Sequence, residues 1–354
     1  MTMLQVGVIG TGMIGQDHIR RMTSVLAGVR VTAVADVDTT VAASVGARIG
    51  APAFETGEAL IADPSVDAIV VCSWGPTHEQ YVLAAIAAGK PVFCEKPLAT
   101  TQDACLRILD AEVAHGSRLV QVGYMRRYDD AYRALKATLG TGQIGAPLMM
   151  HCAHRNASVP GFYEKEMAIT DTAVHEIDMV RWMFDDEITA VRVLTPRRSS
   201  LGGELQDPLM LLFELSSGVL VDVETSVNIR YGYDIRGEIV GEEGTAALGS
   251  LSPVQVRKAG FAADPVPADW RERFLRAYDV EFQEWIDALR AGGRPVGPSA
   301  WDGYAAAVVS DAGVAALRSG DRVPVVLTEK PKLYETEVAA LAPNASAVAA
   351  GDAA

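Results

Sequence analysis

From Leu4 onward the chain alternates short apolar runs with segments whose apolar residues recur at helical spacing. LQVGVIG reads as a strand, the stretch around Ile14 to Leu26 as a helix, and VRVTAVAD as a second strand ending at Asp36. DAIVVCS at 67 to 73 is a third strand. A helix over Thr77 to Ala88, the strand PVFCE, a helix from Thr101 to Ala114 and the strand RLVQVG follow. Strands that are apolar along nearly their whole length and alternate with helices imply a parallel sheet covered on both faces. The pattern predicts a dinucleotide-binding α/β domain over residues 1–123.

The pattern then changes. After a helix over Asp130 to Leu139, the turn-rich GTGQIG introduces a different organisation. LMLLFEL and VLVDVETSV flank the turn Ser216-Ser217-Gly218. Within the second of these, Val219, Val221, Val223 and Thr225 point one way, and Leu220, Asp222, Glu224 and Ser226 the other. This alternation predicts a largely antiparallel open sheet with one packed face and one mixed face. ITAVRVL, YDIRGEIVG and TAALG add further strands, and helices over Arg273 to Ala291 and Trp301 to Arg318 close a second α/β domain over residues 124–330. Residues 331–354 form a C-terminal extension whose last, alanine-rich residues are expected to fray.

Size and charge narrow the partners. A chain of 354 residues exceeds one ordinary hydrophobic core, consistent with two domains. The formal charge of -14 opposes capture by nucleic acid or an anionic membrane, so the expected partner is a small molecule. With no basic segment leading into an apolar leader and no apolar window of membrane-spanning length, the chain reads as cytoplasmic. Cys72, Cys94, Cys105 and Cys152 have no paired spacing and read as buried small hydrophobes, not as a zinc or disulfide framework.

Gly10-Thr11-Gly12-Met13-Ile14-Gly15 is GxGxxG placed between a strand and a helix. Gly10 permits the tight turn, Gly12 leaves room for a pyrophosphate, Gly15 lets the helix pack closely, and the helix N-terminus attracts phosphate. Asp36 ends the second strand, where a carboxylate accepts from both adenosine ribose hydroxyls and repels a 2'-phosphate; no arginine follows it, so NAD is favoured over NADP. Cofactor contacts are assigned to Gly10, Gly12, Met13, Ile14, Gly15 and Asp36, and at the sheet edge to Ser73, Trp74, Glu95 and Lys96, with Trp74-Gly75-Pro76 bordering the nicotinamide or its ribose.

Glu95-Lys96-Pro97 sits at the end of a predicted strand, where open parallel sheets present ligands. Lys96 is placed to contact a substrate hydroxyl and assist proton transfer; a salt bridge at a helix start is the structural alternative. Asp171 and His175, in DTAVH, share one face of a helix, so the carboxylate would steady the imidazole as an oriented acid/base. The competing reading has Asp171 capping the helix and His175 bonding locally near Asp178. No metal is expected, because His151 and His154 would face opposite sides of a strand.

Taken together, GTGMIG, SWGPTHE, FCEKPLATT, QVGYMRRYD, HCAHRN, DTAVHEIDMVRW, YGYDIRGEIVGEEG, AYDVEFQEWIDAL and WDGYAAAVVSDA resemble the Gfo/Idh/MocA-type oxidoreductases, and within them the bacterial myo-inositol 2-dehydrogenase subgroup. The resemblance runs from Leu4 to about Gly320. It implies an N-terminal Rossmann domain, a C-terminal α/β domain whose open sheet builds an oligomer interface, and a homotetramer. It implies Lys96, Asp171 and His175 as the catalytic triad, with His175 the general base. It further implies Arg126, His154, Asn156 and a tyrosine of YGYD, assigned as Tyr233 over Tyr231, as polyol-binding residues. The implied reaction is NAD-dependent oxidation of myo-inositol to its 2-keto product. The alternatives are scyllo-inositol, another cyclitol or an aldopyranose as substrate, or a non-catalytic NAD-sensing protein. The loop ASVPGFYEKE is where the chain departs from the subgroup's pattern, with a possible effect on epimer preference.

Overall fold

The computed structural model describes residues 3–249 and 255–335. The expected fraying of the last residues falls outside that range. The first part of the chain forms strands β1 (Leu4–Ile9), β2 (Val29–Ala35), β3 (Ala53–Phe54), β4 (Ala68–Val71), β5 (Val92–Glu95) and β6 (Val120–Gly123). Between them run helices α1 (Met13–Ser24), α2 (Thr39–Ile49), α3 (Gly57–Ala62), α4 (His78–Ala87) and α5 (Gln102–His115). All pairings are parallel, in the order β3-β2-β1-β4-β5-β6. This is a Rossmann sheet. Its strand order reverses between β1 and β4, which opens a ligand crevice at their carboxyl ends.

Helix α6 (Asp130–Gly140) leads into the second sheet. That sheet contains β7 (Pro147–Arg155), β8 (Ile188–Leu194), β9 (Leu209–Leu215), β10 (Leu220–Ser226), β11 (Asp234–Gly241) and β12 (Thr245–Ala247), with α7 (Val174–Phe184) between β7 and β8. A separate small hairpin, β13 (Val256–Lys258) and β14 (Phe261–Ala263), precedes α8 (Trp270–Arg290) and α9 (Ala300–Ser319), and the short β15 (Val323–Pro324) completes the sheet edge. The order is β12-β11-β7-β10-β9-β8-β15, antiparallel except for the β7–β10 pair. The predicted alternation in β10 is realised: Val221 and Val223 are fully buried, whereas Leu220 stands 44% exposed on the outer face.

One expectation is corrected. Helix α8 does not simply close the second domain: its Phe282, Trp285 and Ile286 pack with Val6, Val8, Val31 and Phe93 of the Rossmann sheet. The apolar stripe on α8 needs a partner surface, and the side of the sheet next to α1 supplies one. Two regions far apart in sequence are thereby locked together beside the crevice.

Candidate active site

The glycine turn joins β1 to α1. Gly10 has φ +92°, a conformation that disfavours side chains, and an added Cβ would strike the backbone of Cys72 on the neighbouring strand end. At Gly15 a Cβ would strike the carbonyl oxygen of Gly10, so the helix can lie this close only with glycine there. Gly12 faces open space and caps α1 without a side chain, leaving first-turn N–H groups for an anion. These three observations fit a dinucleotide pyrophosphate. Asp36 Oδ2 accepts from the Thr11 backbone N–H at 2.5 Å and from its hydroxyl at 2.9 Å, which ties the end of β2 to the turn. Its Oδ1 accepts from Asp38 N at 3.0 Å and keeps lone-pair capacity for ribose.

A cavity of about 320 Å³ runs from Met13 and Ile14 past Ser73, Glu95 and Lys96 to Asp171 and His175, and on to His154, Asn156 and Tyr233. Lys96 Nζ donates to Asp171 Oδ1 at 2.6 Å and to the Asp171 carbonyl at 3.1 Å. The Lys96 charge holds the Asp171 carboxyl below the usual carboxylate range. The Lys96–Pro97 peptide bond is cis. Burial, reinforced by the charges of Lys96 and Arg126, drives the His175 pKa well below that of an ordinary histidine. The imidazole is therefore neutral near pH 7 and able to accept a proton.

The expected steadying of His175 by Asp171 is not formed. The carboxylate turns to the ammonium of Lys96, because an ion pair is a stronger partner than a neutral imidazole. Asp171 also lies in a π-helical turn, Ala168–Ala173, that immediately precedes the α-helix carrying His175. Wide turns of this kind recur at functional sites.

The far end of the cavity is built on β7 and the residue just before β11. His154 Nε2 lies 3.2 Å from the Tyr233 hydroxyl, and His154 Nδ1 lies 3.0 Å from both Glu176 Oε2 and Arg126 Nη2. Of the two tyrosines weighed, Tyr233 is buried on the cavity, whereas Tyr231 is exposed and bonds Asp234 and Arg155. Arg126 does not line the cavity: it is ion-paired with Glu176 in a buried position behind His154. Trp74 also stands apart from it, 79% exposed on the loop surface.

Several contributors were missed in the sequence. Glu176 anchors both Arg126 and His154, and its position next to His175 in the quoted segment was the available signal. His78 staples two loops, with Nδ1 2.7 Å from the Pro97 carbonyl and Nε2 2.9 Å from that of Ser73. Thr172 lines the cavity and shares a 2.6 Å hydrogen bond with Tyr163 of the departing loop. A more open hollow of about 680 Å³ lies between that loop and the segment around Gly203, away from Lys96 and His175.

Fold and site define an NAD-binding oxidoreductase. Residues 4–124 match the model of the oxidoreductase family with an NAD-binding Rossmann fold, and residues 136–325 that of its C-terminal alpha/beta domain. The chain belongs to the Gfo/Idh/MocA oxidoreductase family. It is 54% identical over 334 residues to an inositol 2-dehydrogenase of Pseudomonas syringae pv. syringae, spanning 94% of this chain and 99% of that one. It is also 54% identical over 332 residues to inositol 2-dehydrogenase 3 of Saccharopolyspora erythraea, spanning 94% and 98% of the two chains. Among solved structures, myo-inositol dehydrogenase from Lactobacillus casei in complex with NAD(H) and myo-inositol superposes with a TM-score of 0.92 at 39% identity, over 94% of this chain and 100% of that one.

Proposed function

We propose that the chain is an NAD-dependent inositol 2-dehydrogenase that oxidises a ring hydroxyl of myo-inositol to the 2-keto product. The observation that carries this reading is the cavity itself. A neutral His175 stands beside the Lys96–Asp171 pair, and His154, Asn156, Thr172 and Tyr233 offer uncharged donors and acceptors around the same space. Such a lining suits an uncharged polyol better than an acid or a phosphate ester. The similarity to relatives named for inositol narrows the polyol.

NAD+, when bound, supplies the hydride acceptor. His175 removes the hydroxyl proton, and Lys96 donates to the oxygen as negative charge develops on it. Asp171 keeps the ammonium in place. His154, Asn156 and Tyr233 orient the ring, and Arg126 with Glu176 fixes His154 from behind.

We read the assembly as a homotetramer. The support is the outer face of the second sheet, where Met149, Leu194 and Leu220 stand exposed, and light scattering tests it. Among the described residues no helix is long and apolar enough to cross a membrane. A cytoplasmic place of action belongs to the same reading, since the nucleotide cosubstrate must be available there, and cell fractionation tests it.

The deciding assay follows NADH formation with NAD+ and with NADP+ on myo-inositol, scyllo-inositol, D-chiro-inositol, D-glucose and D-xylose. A kcat/KM maximum for myo-inositol with NAD+ is expected. A maximum for another ring rejects the substrate assignment while retaining the hydride chemistry.

A further inference from the structure

The cavity wall is backed by a buried polar chain that the reaction as described does not use. Glu95 ends β5 beside Lys96, and its Oε1 lies 2.6 Å from His18 Nε2 on α1. His18 Nδ1 lies 2.7 Å from Arg21 Nη1. A guanidinium has donors only, so Nδ1 must present its lone pair and the ring proton must sit on Nε2. His18 is therefore the neutral tautomer donating to an ionised Glu95.

The surroundings favour that arrangement. The His18 ring is fully buried, with the rings of Phe282, Tyr278 and Phe93 centred 4.5, 5.6 and 6.2 Å away. Burial lowers the His18 pKa. Burial alone would raise that of Glu95, but the His18 hydrogen bond, helped by the Lys96 charge and the Lys96 backbone N–H at 3.2 Å from Oε2, brings it below the usual carboxylate value. Glu281, the neighbouring buried carboxyl on α8, has its pKa pushed well above the usual range by burial and by Glu95.

The nearby cations are committed elsewhere. Arg21 donates to Asp279 at 2.7 Å and to Asp17 at 2.9 Å, and Lys96 is paired with Asp171. The ring nitrogens of His78 face the carbonyls of Pro97 and Ser73. Glu95 is left as a carboxylate on the cavity wall whose closest side-chain partner is a neutral imidazole.

Position gives this charge a use. A dinucleotide with its pyrophosphate on the glycine turn must carry its nicotinamide between Met13 and Ile14 at one end of the cavity and His154 and Asn156 at the other. Cys72, Ser73, Glu95 and Lys96 line that stretch. The nicotinamide ring is positively charged in NAD+ and uncharged in NADH. We propose that Glu95, held as a carboxylate by the His18–Arg21 relay, makes the site favour the oxidised cofactor over the reduced one, with His18 and Arg21 as positioning residues. The inference rests on the NAD-dehydrogenase reading but not on the identity of the polyol.

The test measures Kd for NAD+ and for NADH on the full chain, without polyol, by calorimetry. Glu95→Gln is expected to weaken NAD+ roughly tenfold while changing NADH less than about twofold. His18→Leu should move the ratio the same way by roughly fivefold. His18→Gln, whose amide can donate to Glu95 and accept from Arg21, should restore the wild-type ratio. An unchanged ratio in either of the first two variants, equal weakening of both cofactor forms, or no restoration in the third overturns the proposal. Should His18→Leu fail to fold, NMR of the wild-type imidazole decides: a Nε2–H tautomer at neutral pH supports the relay and an imidazolium overturns it. Failure of the inositol assignment would appear separately, as absent turnover with the cofactor ratio intact.

Discussion

Lys96 Nζ donates to Asp171 Oδ1 at 2.6 Å, so the acid of the DTAVH segment serves the lysine and not the histidine four residues on. In the proposed mechanism Asp171 acts through the position and charge of Lys96. Asp171→Asn should lower kcat by roughly 10- to 100-fold, since the amide keeps the shape but no longer stabilises the ammonium. Steady-state kinetics with saturating NAD+ checks this, and an unchanged kcat would remove Asp171 from the mechanism.

His175→Ala should reduce kcat/KM by about 10²- to 10⁴-fold and leave NAD+ affinity within about twofold. The wild-type pH profile supplies an independent check. As the proposed base His175 would work only when unprotonated, and burial depresses its pKa. Activity should therefore persist as pH falls through the ordinary histidine value of 6.5 and decline only further into acid. A limb centred at or above that value would point to a different base.

Asp36 is fastened to Thr11 through one oxygen, and its other oxygen accepts from the Asp38 backbone N–H. In Asp36→Ser the repulsion of a 2'-phosphate disappears, and the NAD-over-NADP preference in kcat/KM should fall by about tenfold or more. Paired kinetics with the two cofactors reads this directly. An unaltered ratio would assign discrimination elsewhere.

Trp285 is fully buried where α8 meets the Rossmann sheet. Trp285→Ala should cost about 3–5 kcal/mol, as large-to-small changes in packed cores do. Denaturant melts measure it. A loss below about 1 kcal/mol would mean that α8 contributes little to holding the two parts together.

The sequence by itself determined the Rossmann domain, because strand-length apolar runs alternating with helical periodicity are local signals and the GxGxxG turn carries its own backbone requirement. It also determined the packed and open faces of β10, since side-chain direction alternates with strand position whatever the neighbours are. Tyr233 and His154 were reachable through the resemblance. Tertiary structure alone decided the pairings. Nothing in the spacing of Asp171 and His175 reveals that Lys96, 75 residues earlier than Asp171, arrives from the end of β5 to claim the carboxylate. Nor does YMRRYD disclose that Arg126 lies behind His154 in a buried pair with Glu176. The stripe on α8 was legible as apolar, but the surface it covers was not. Periodicity records which side of an element is buried. What it is buried against, and which charge finds which partner, depend on contacts between residues far apart in the chain.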